Sequence, residues 1–274
     1  MESNKNKMNE IAEMLETGVK AVFENGEYQR MLDTMSKFYK YSANNCFLIL
    51  AQMPDATHVA GYRAWADKFG RQVKKGEKAI RIIAPCPHKK QTERVNEDGE
   101  VEAKEIQWVS YRAVPVFDIS QTEGEDLPEI AHDLTGGVDG YEELLERVKG
   151  ISPVAVKFEE VRGGAHGFYS HLTNSITVKE GMSEQQTVKT LVHEIAHAIL
   201  HNEEGEQKDA DSNTREVQAE SVAYIVCKHI GIDTSDYSFG YVAGWSGGKE
   251  TKELTASMEV IRKTAAGIIE SLAA

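Results

Sequence analysis

The stretch TLVHEIAHAILH, residues 190–201, constrains this chain more than any other. Its apolar residues ask for a buried helix, yet His193, Glu194 and His197 stand among them. A helix turns about 100° per residue, which puts His193 and His197 one turn apart on one face with Glu194 at its edge. Val188, Leu191, Val192, Ile195, Ala196 and Ile199 take the opposite arc. One side of the helix therefore packs while the other presents two imidazoles and a carboxylate. Two histidines at i and i+4 can reach one Zn²⁺ at about 2 Å each, and the intervening glutamate can reach a water on that ion. The competing reading makes both histidines ordinary satisfied polar residues. A third ligand decides between the two.

His201 lies four residues past His197, but two turns separate it from His193, about 12 Å along the axis. That is too far to share an ion, and His201 is expected at the surface. The segment NTREVQAESVAYIVCKHIG (213–231) offers better candidates, with Glu216 and Glu220 again at i and i+4. They fall on the stripe of Ala219, Ala223, Cys227 and Ile230, expected to be the buried side. Two carboxylates there are costly unless a cation meets them. Ala219 and Ala223 would also let the histidine helix approach closely. The alternative turns both glutamates outward and packs Val217 and Tyr224 instead. Ser183 with Gln186 reads as a capping box for the first helix. Asn213 reads as the cap of the second, which Gly231 closes. The acidic loop 202–211 between them is expected to be a solvated connection.

Before this region the chain is organised differently. Helices are expected over 5–24, 27–40 and 42–53, the last ended by Pro54. AIRIIAP (79–85) and IQWVSYRAVPVFDIS (106–120) read as strands, and NEDGE (96–100) as a turn between them. Residues 121–138 are acidic, hold Pro128 and Gly136-Gly137, and show no period. After them come a short helix at 140–149 and strands at 154–161 and 174–178. The boundaries expected are 1–122, a linker at 123–138, and 139–274.

With 274 residues, 41% of them hydrophobic, the chain can bury a core, which excludes wholesale disorder. The net charge of −13 argues against nucleic acid as a partner until it is divided. Residues 1–120 hold 18 Lys and Arg against 17 Asp and Glu, a net +1, which leaves 13 against 27 beyond them, a net −14. Cys46, Cys86 and Cys227 are far apart and form no CxxC pair, which suits a reducing compartment. The N-terminus lacks the apolar core of a signal peptide, and no apolar run nears the ~18 residues of a membrane span. A cytoplasmic protein with no membrane partner is expected.

Residues 60–90 carry nine basic residues against Asp67 and Glu77. Tyr62, Trp65 and Phe69 are interleaved with Arg63, Lys68, Arg71, Lys74, Lys75 and Lys78. Basic side chains track phosphates and aromatics stack bases, the sequence-tolerant recipe for single-stranded nucleic acid. Trp65 and Phe69 at i and i+4 fit core packing equally well, so the residues alone leave both readings open.

Two resemblances complete the reading. TVKTLVHEIAHAILH…REVQAESVAYIV, with Glu216 nineteen residues after His197, looks like the gluzincin arrangement. It resembles the ImmA/IrrE-type metallopeptidases and the C-terminal domain of ArdC-type antirestriction proteins. YSANNCFLILAQMPDATHVAGYRAW…FGRQVKKGEKAIRIIAP, including Asn44, Asn45 and Gln52, is similar to the N-terminal single-stranded-DNA-binding domain of the ArdC type. The resemblance implies a two-domain α+β protein, a DNA-binding module followed by a zincin-like metallopeptidase domain. It implies one Zn²⁺ held by His193, His197 and Glu216, with Glu220 orienting a ligand histidine or standing as the alternative ligand, and Glu194 as the base for hydrolysis of a protein or peptide substrate. It brings Tyr62, Arg63, Trp65, Lys68, Arg71, Lys74, Lys75 and Lys78 to the DNA. It also implies carriage on a mobile element, and either repressor or DNA-bound protein cleavage or a non-proteolytic antirestriction role with a vestigial zinc site. In HGFYSHLTNSITV, before the histidine helix, a peptide-pairing edge strand is expected, with His166, Tyr169 and His171 candidates to steady an oxyanion.

Overall fold

The computed structural model describes residues 2–95, 101–127, 138–161 and 163–274. Helices α1 (Glu2–Glu24), α2 (Tyr28–Lys37) and α3 (Ala43–Gln52) open the chain close to where the apolar periodicity predicts them. The Ser42 hydroxyl accepts the Asn45 N–H and starts α3. Short β1 (Val59–Ala60), α4 (Tyr62–Phe69) and β2 (Arg71–Val73) follow. Then comes a long hairpin, β3 (Ile80–Val95) with β4 (Val101–Asp118). β1, β4 and β3 form one antiparallel sheet in that order, and β5 (Thr122–Gly124) pairs with β2. The hairpin strands outrun the stretches expected at 79–85 and 106–120, because unbroken antiparallel pairing carries them past the apolar alternation. The NEDGE turn and residues 128–137 of the expected linker lie outside the described residues. Residues 123 and 124, also assigned to that linker, belong to β5.

Two amide side chains of α3 dock it along the free edge of β3. Asn45 donates to the Ile83 carbonyl and accepts the Ile83 N–H, both at 2.9 Å. Gln52 does the same with Arg81, again at 2.9 Å each way. These amides substitute for a neighbouring strand and close an edge that would otherwise invite pairing with another chain.

The second half holds α5 (Val138–Gly150), β6 (Ala155–Glu159), β7 (Gly167–Ser170), β8 (Ser175–Lys179), α6 (Glu184–Leu200) and α7 (Ser212–His229). The short α8 (Val242–Ser246) and the long α9 (Thr251–Ala273) end it. β8, buried along Ser175–Val178, runs between parallel β6 and antiparallel β7, which leaves β7 on the edge. The α7 cap differs from the expected Asn213: Asp211 caps it, its carboxylate accepting the Thr214 N–H and the Thr214 hydroxyl. Asp211 wins because it sits where the backbone is extended just ahead of the first helical turn.

The two halves share one hydrophobic core. Phe23, Tyr28, Met31, Leu32 and Met35 are buried together with Tyr224, Ile225, Met258 and Ile261. Polar bonds fasten the same seam. Tyr28 and Ser221 hydroxyls lie 2.8 Å apart, Tyr224 donates to Asp33 at 2.8 Å, and Gln29 donates to Tyr224 at 3.2 Å. Further along, Glu259 accepts the Ala43 N–H and Arg262 donates to the Tyr39 carbonyl.

Candidate metal centre

Helix α6 begins at Ser183, whose hydroxyl accepts the Gln186 N–H. The Gln186 side chain donates onward to Thr190 rather than back to the cap, so only half of the expected capping box forms. Val188, Leu191, Val192, Ile195 and Ala196 are fully buried on the packed arc. The polar arc faces β7, and Gly167 lets that strand approach. A Cβ there would stand 2.7 Å from Thr190 and 2.9 Å from the Thr177 carbonyl, so no side chain fits.

The His193 and His197 Nε2 atoms converge at 3.0 Å. The two Glu216 carboxylate oxygens lie 3.6 Å from them, one to each ring. One donor atom from each of the three residues falls within 4.8 Å of the others. Glu216 departs from the expected buried stripe: its side chain is 58% exposed, at the mouth of an open cleft of about 590 Å³. The helical wheel sets its direction, but the open cleft, rather than a packed neighbour, is what lies in that direction. Glu220 sits deeper, its carboxylate 3.2 Å from His193 Nδ1. Glu194, 7% exposed, also lines the cleft, and its carboxylate accepts the Tyr169 N–H. Tyr169 and His171 line the cleft as well, the Tyr169 hydroxyl donating to Asn174. His166 stands just ahead of β7, with its carbonyl accepting the Lys179 N–H.

His201 contradicts the expectation of a surface residue: it is 2% exposed. Its Nδ1 is 2.9 Å from His197 Nδ1, and its Nε2 is 3.0 Å from Gln218 Oε1. The axial distance that bars His201 from the ion leaves it one turn from His197, close enough to hold that ring. The tautomers then follow from one end. Gln218 Nε2 donates to Gln207, so Gln218 Oε1 accepts and His201 Nε2 carries a proton. A neutral His201 has its lone pair on Nδ1, and His197 Nδ1–H donates to it. The His197 lone pair is left on Nε2. Glu220 likewise takes the Nδ1–H of His193 and leaves the Nε2 lone pair of the neutral ring facing the same point. Two imidazole lone pairs and a carboxylate aimed at one place form a donor set that fits a divalent cation with three protein ligands.

Charge agrees with that fit. Burial pulls the His193 imidazole down, but hydrogen bonds to Glu216 and Glu220 and the Glu194 charge outweigh it and hold it at about 10. Burial and the neighbouring His193 charge keep His197 well below the ordinary histidine range. Its hydrogen bond to His193 holds the Glu216 carboxyl low. Burial pushes the Glu194 carboxyl up, offset only in part by His193 and the Tyr169 N–H. Uptake of a divalent ion at this point would displace the His193 proton, and His197 has none to lose. Metal affinity is expected to rise with pH, by up to about tenfold per unit between pH 6 and 9, with about one proton released per ion. Calorimetry in buffers of different ionisation enthalpy reads the proton count.

Removing the groups behind the histidines tests the same geometry. Glu220→Ala and His201→Phe should each weaken metal binding by about 10- to 100-fold. Glu216→Ala, which removes a donor itself, should lose more than either. The check is metal affinity by competition with a chelator, alongside the melting temperature of the metal-free protein, which separates orientation from packing.

The residues expected at DNA divide into two groups. Tyr62, 60% exposed, and Arg63, Lys68, Lys74, Lys75 and Lys78 are on the surface of α4 and the β2–β3 turn. Trp65 is not: it is 1% exposed, with its indole N–H donating to the Phe117 carbonyl at 2.9 Å and its ring 5.1 Å from Phe69. It belongs to the core that the i, i+4 spacing also allows. Arg71 is buried too, its guanidinium bonding Thr122 and the carbonyls of Gly124 and Glu125. It ties β2 to β5, with four of its five N–H donors committed to that strand pair. The sequence reading sets His201 aside as a surface residue and gives no role to Gln218 or Trp108. The i, i+4 step from His197 to His201 is the signal for the first.

Residues 2–117 match the family model of the N-terminal domain of anti-restriction factor ArdC, and residues 147–240 that of the IrrE N-terminal-like domain. The chain is 32% identical over 275 residues to the uncharacterized protein pXO2-81 of Bacillus anthracis, covering 87% of this chain. It spans about half of that relative, 46% of its length. A metal-free crystal structure of the antirestriction ArdC protein from the R388 plasmid shares the fold, with a TM-score of 0.52 at 19% identity over 85% of each chain. A Mn(II)-bound structure of that protein gives 0.49 at the same identity and coverage.

Proposed function

We propose, from the match of residues 2–117 to the N-terminal domain of ArdC and of residues 147–240 to the IrrE N-terminal-like domain, that the chain is a metal-dependent peptidase carried on a single-stranded-DNA-binding module and acting in antirestriction. His193, His197 and Glu216 would hold the ion, with Zn²⁺ expected from the nitrogen-rich donor set. A bound divalent ion of this kind lowers the pKa of a water and polarises a carbonyl. The single observation that carries the reading is Glu194, a carboxylate in the same cleft as the converging imidazoles and raised by burial. A purely structural site has no use for such a group. Glu194 can take a proton from water in the cleft and return it to the leaving amine. The N–H of Tyr169 steadies it in both states. The free edge of β7 offers backbone groups to an extended peptide, and the exposed Phe168 and Leu172 lie along that edge and its turn.

The test is metal analysis of the full chain paired with cleavage of a mixed peptide library, with and without single-stranded DNA. Metal-dependent cleavage supports the reading. DNA binding and metal binding with no hydrolysis under any condition would leave a non-proteolytic antirestriction protein.

A further inference from the structure

The β3–β4 hairpin is anchored at its base by α3 and α4, but its outer part stands in solvent on both faces. Residues 87–91 and 105–112 are all exposed. Among them are Ile106, Trp108, Val109 and Tyr111, with Trp108 47% exposed. A two-stranded ribbon alone in water is marginal, and large apolar groups on it raise the question of what they meet. The register supplies part of the answer. His88 stands opposite Trp108, so the two rings share a face, and they stack with centroids 5.2 Å apart and planes 15° apart. His88 Nε2 lies 2.7 Å from the Ser110 hydroxyl, which fixes the imidazole against the indole. Lys90, opposite Ile106, and Arg112, opposite Ala84, fall on the same face by the two-residue alternation. Among the described residues neither cation makes an ion pair, whereas Lys89 on the other face is 3.5 Å from Glu105.

We propose that this face is a stacking platform for single-stranded nucleic acid: bases lie on the Trp108–His88 pair, and Lys90 and Arg112 meet the phosphates on either side. The proposal rests on the single-strand reading above and moves its aromatic contact from Trp65, which is buried, to the hairpin. Charge complementarity favours a polyanion over a protein. Over residues 84–90 and 106–112 the Trp108 face carries Lys90 and Arg112 and no acid, and the exposed Lys74, Lys75 and Lys78 near the hairpin base add positive charge in a chain whose net charge is −13. Base–aromatic stacking accepts any sequence, because every base has a π face.

The experiment titrates the full chain with a fluorescently labelled oligo(dT) over a range of salt. Trp108→Ala is expected to weaken binding by about 5- to 150-fold, with Trp108→Phe recovering most of it. Lys90→Ala and Arg112→Ala should each flatten the log–log salt dependence by about 0.7. Tyr111→Ala, on the opposite face, should change little. Wild-type binding that Trp108→Ala leaves intact overturns the platform and spares the single-strand reading. No salt-dependent binding by the wild type overturns both. If Trp108→Ala and Tyr111→Ala spare DNA binding but dissociate a dimer seen by sedimentation, the arm is a contact between copies and the proposal fails.

Discussion

Replacing Glu194 with Gln is expected to lower the proposed peptide hydrolysis by about 10²- to 10⁴-fold, the contribution of a positioned acid–base group, and to leave metal binding in place. The amide keeps the shape of the carboxylate, and its oxygen can still accept the Tyr169 N–H. It cannot take a proton from water. None of the three donors that converge on the ion site is touched, so metal content and melting temperature should match the parent protein. The loss should fall on kcat, with KM little changed. Turnover with a protein substrate or a selected peptide, measured beside metal stoichiometry, reads both halves. Unchanged turnover removes Glu194 from the mechanism, and lost metal makes it a ligand.

Changing Trp65 to Ala is expected to cost about 3–5 kcal/mol of stability and to leave the proposed DNA binding of the folded protein unchanged. The ring is fully enclosed, and its truncation opens a cavity beneath α4. It also strips the Phe117 carbonyl of its indole partner. Trp65→Phe should cost less, since it keeps most of the volume and loses the hydrogen bond. Thermal melts and oligonucleotide titrations of the same preparations decide the matter. Weaker DNA binding at an unchanged melting temperature would return Trp65 to the interface.

The α6 face was legible because helical geometry alone puts His193 and His197 together. The same geometry identified Glu216 and Glu220 as a pair. Depth was another matter: a helical wheel gives a direction, and only the surrounding fold decides whether that direction meets a cleft or a wall. Glu216 met the cleft. His201 shows a related limit, since distance along an axis excludes direct ligation but says nothing about contact through an intervening ring. Trp65 and Trp108 are both aromatic residues of the N-terminal half, and separating buried from exposed needed the register of β3 against β4. That hairpin loses its alternation where both faces are wet, so the pattern that marks a strand fades there. α9 was not among the expected helices, although Leu254, Met258, Ile261, Ala265, Ile268 and Leu272 recur at three- and four-residue steps. Its packing against α1 and α3 joins residues more than 200 apart, and no local pattern reports that.

The seam between α2 and α7 has a thermodynamic consequence. Tyr28, Gln29 and Asp33 are bonded to Ser221 and Tyr224 of the helix that carries Glu216, Gln218 and Glu220. Packing continuous across such a seam makes the helices of both halves a single cooperative unit. An ion that binds only the native arrangement of α6 and α7 therefore stabilises more than its own surroundings. Part of that stabilisation accrues to α2, whose bond to Ser221 spans 193 residues of sequence.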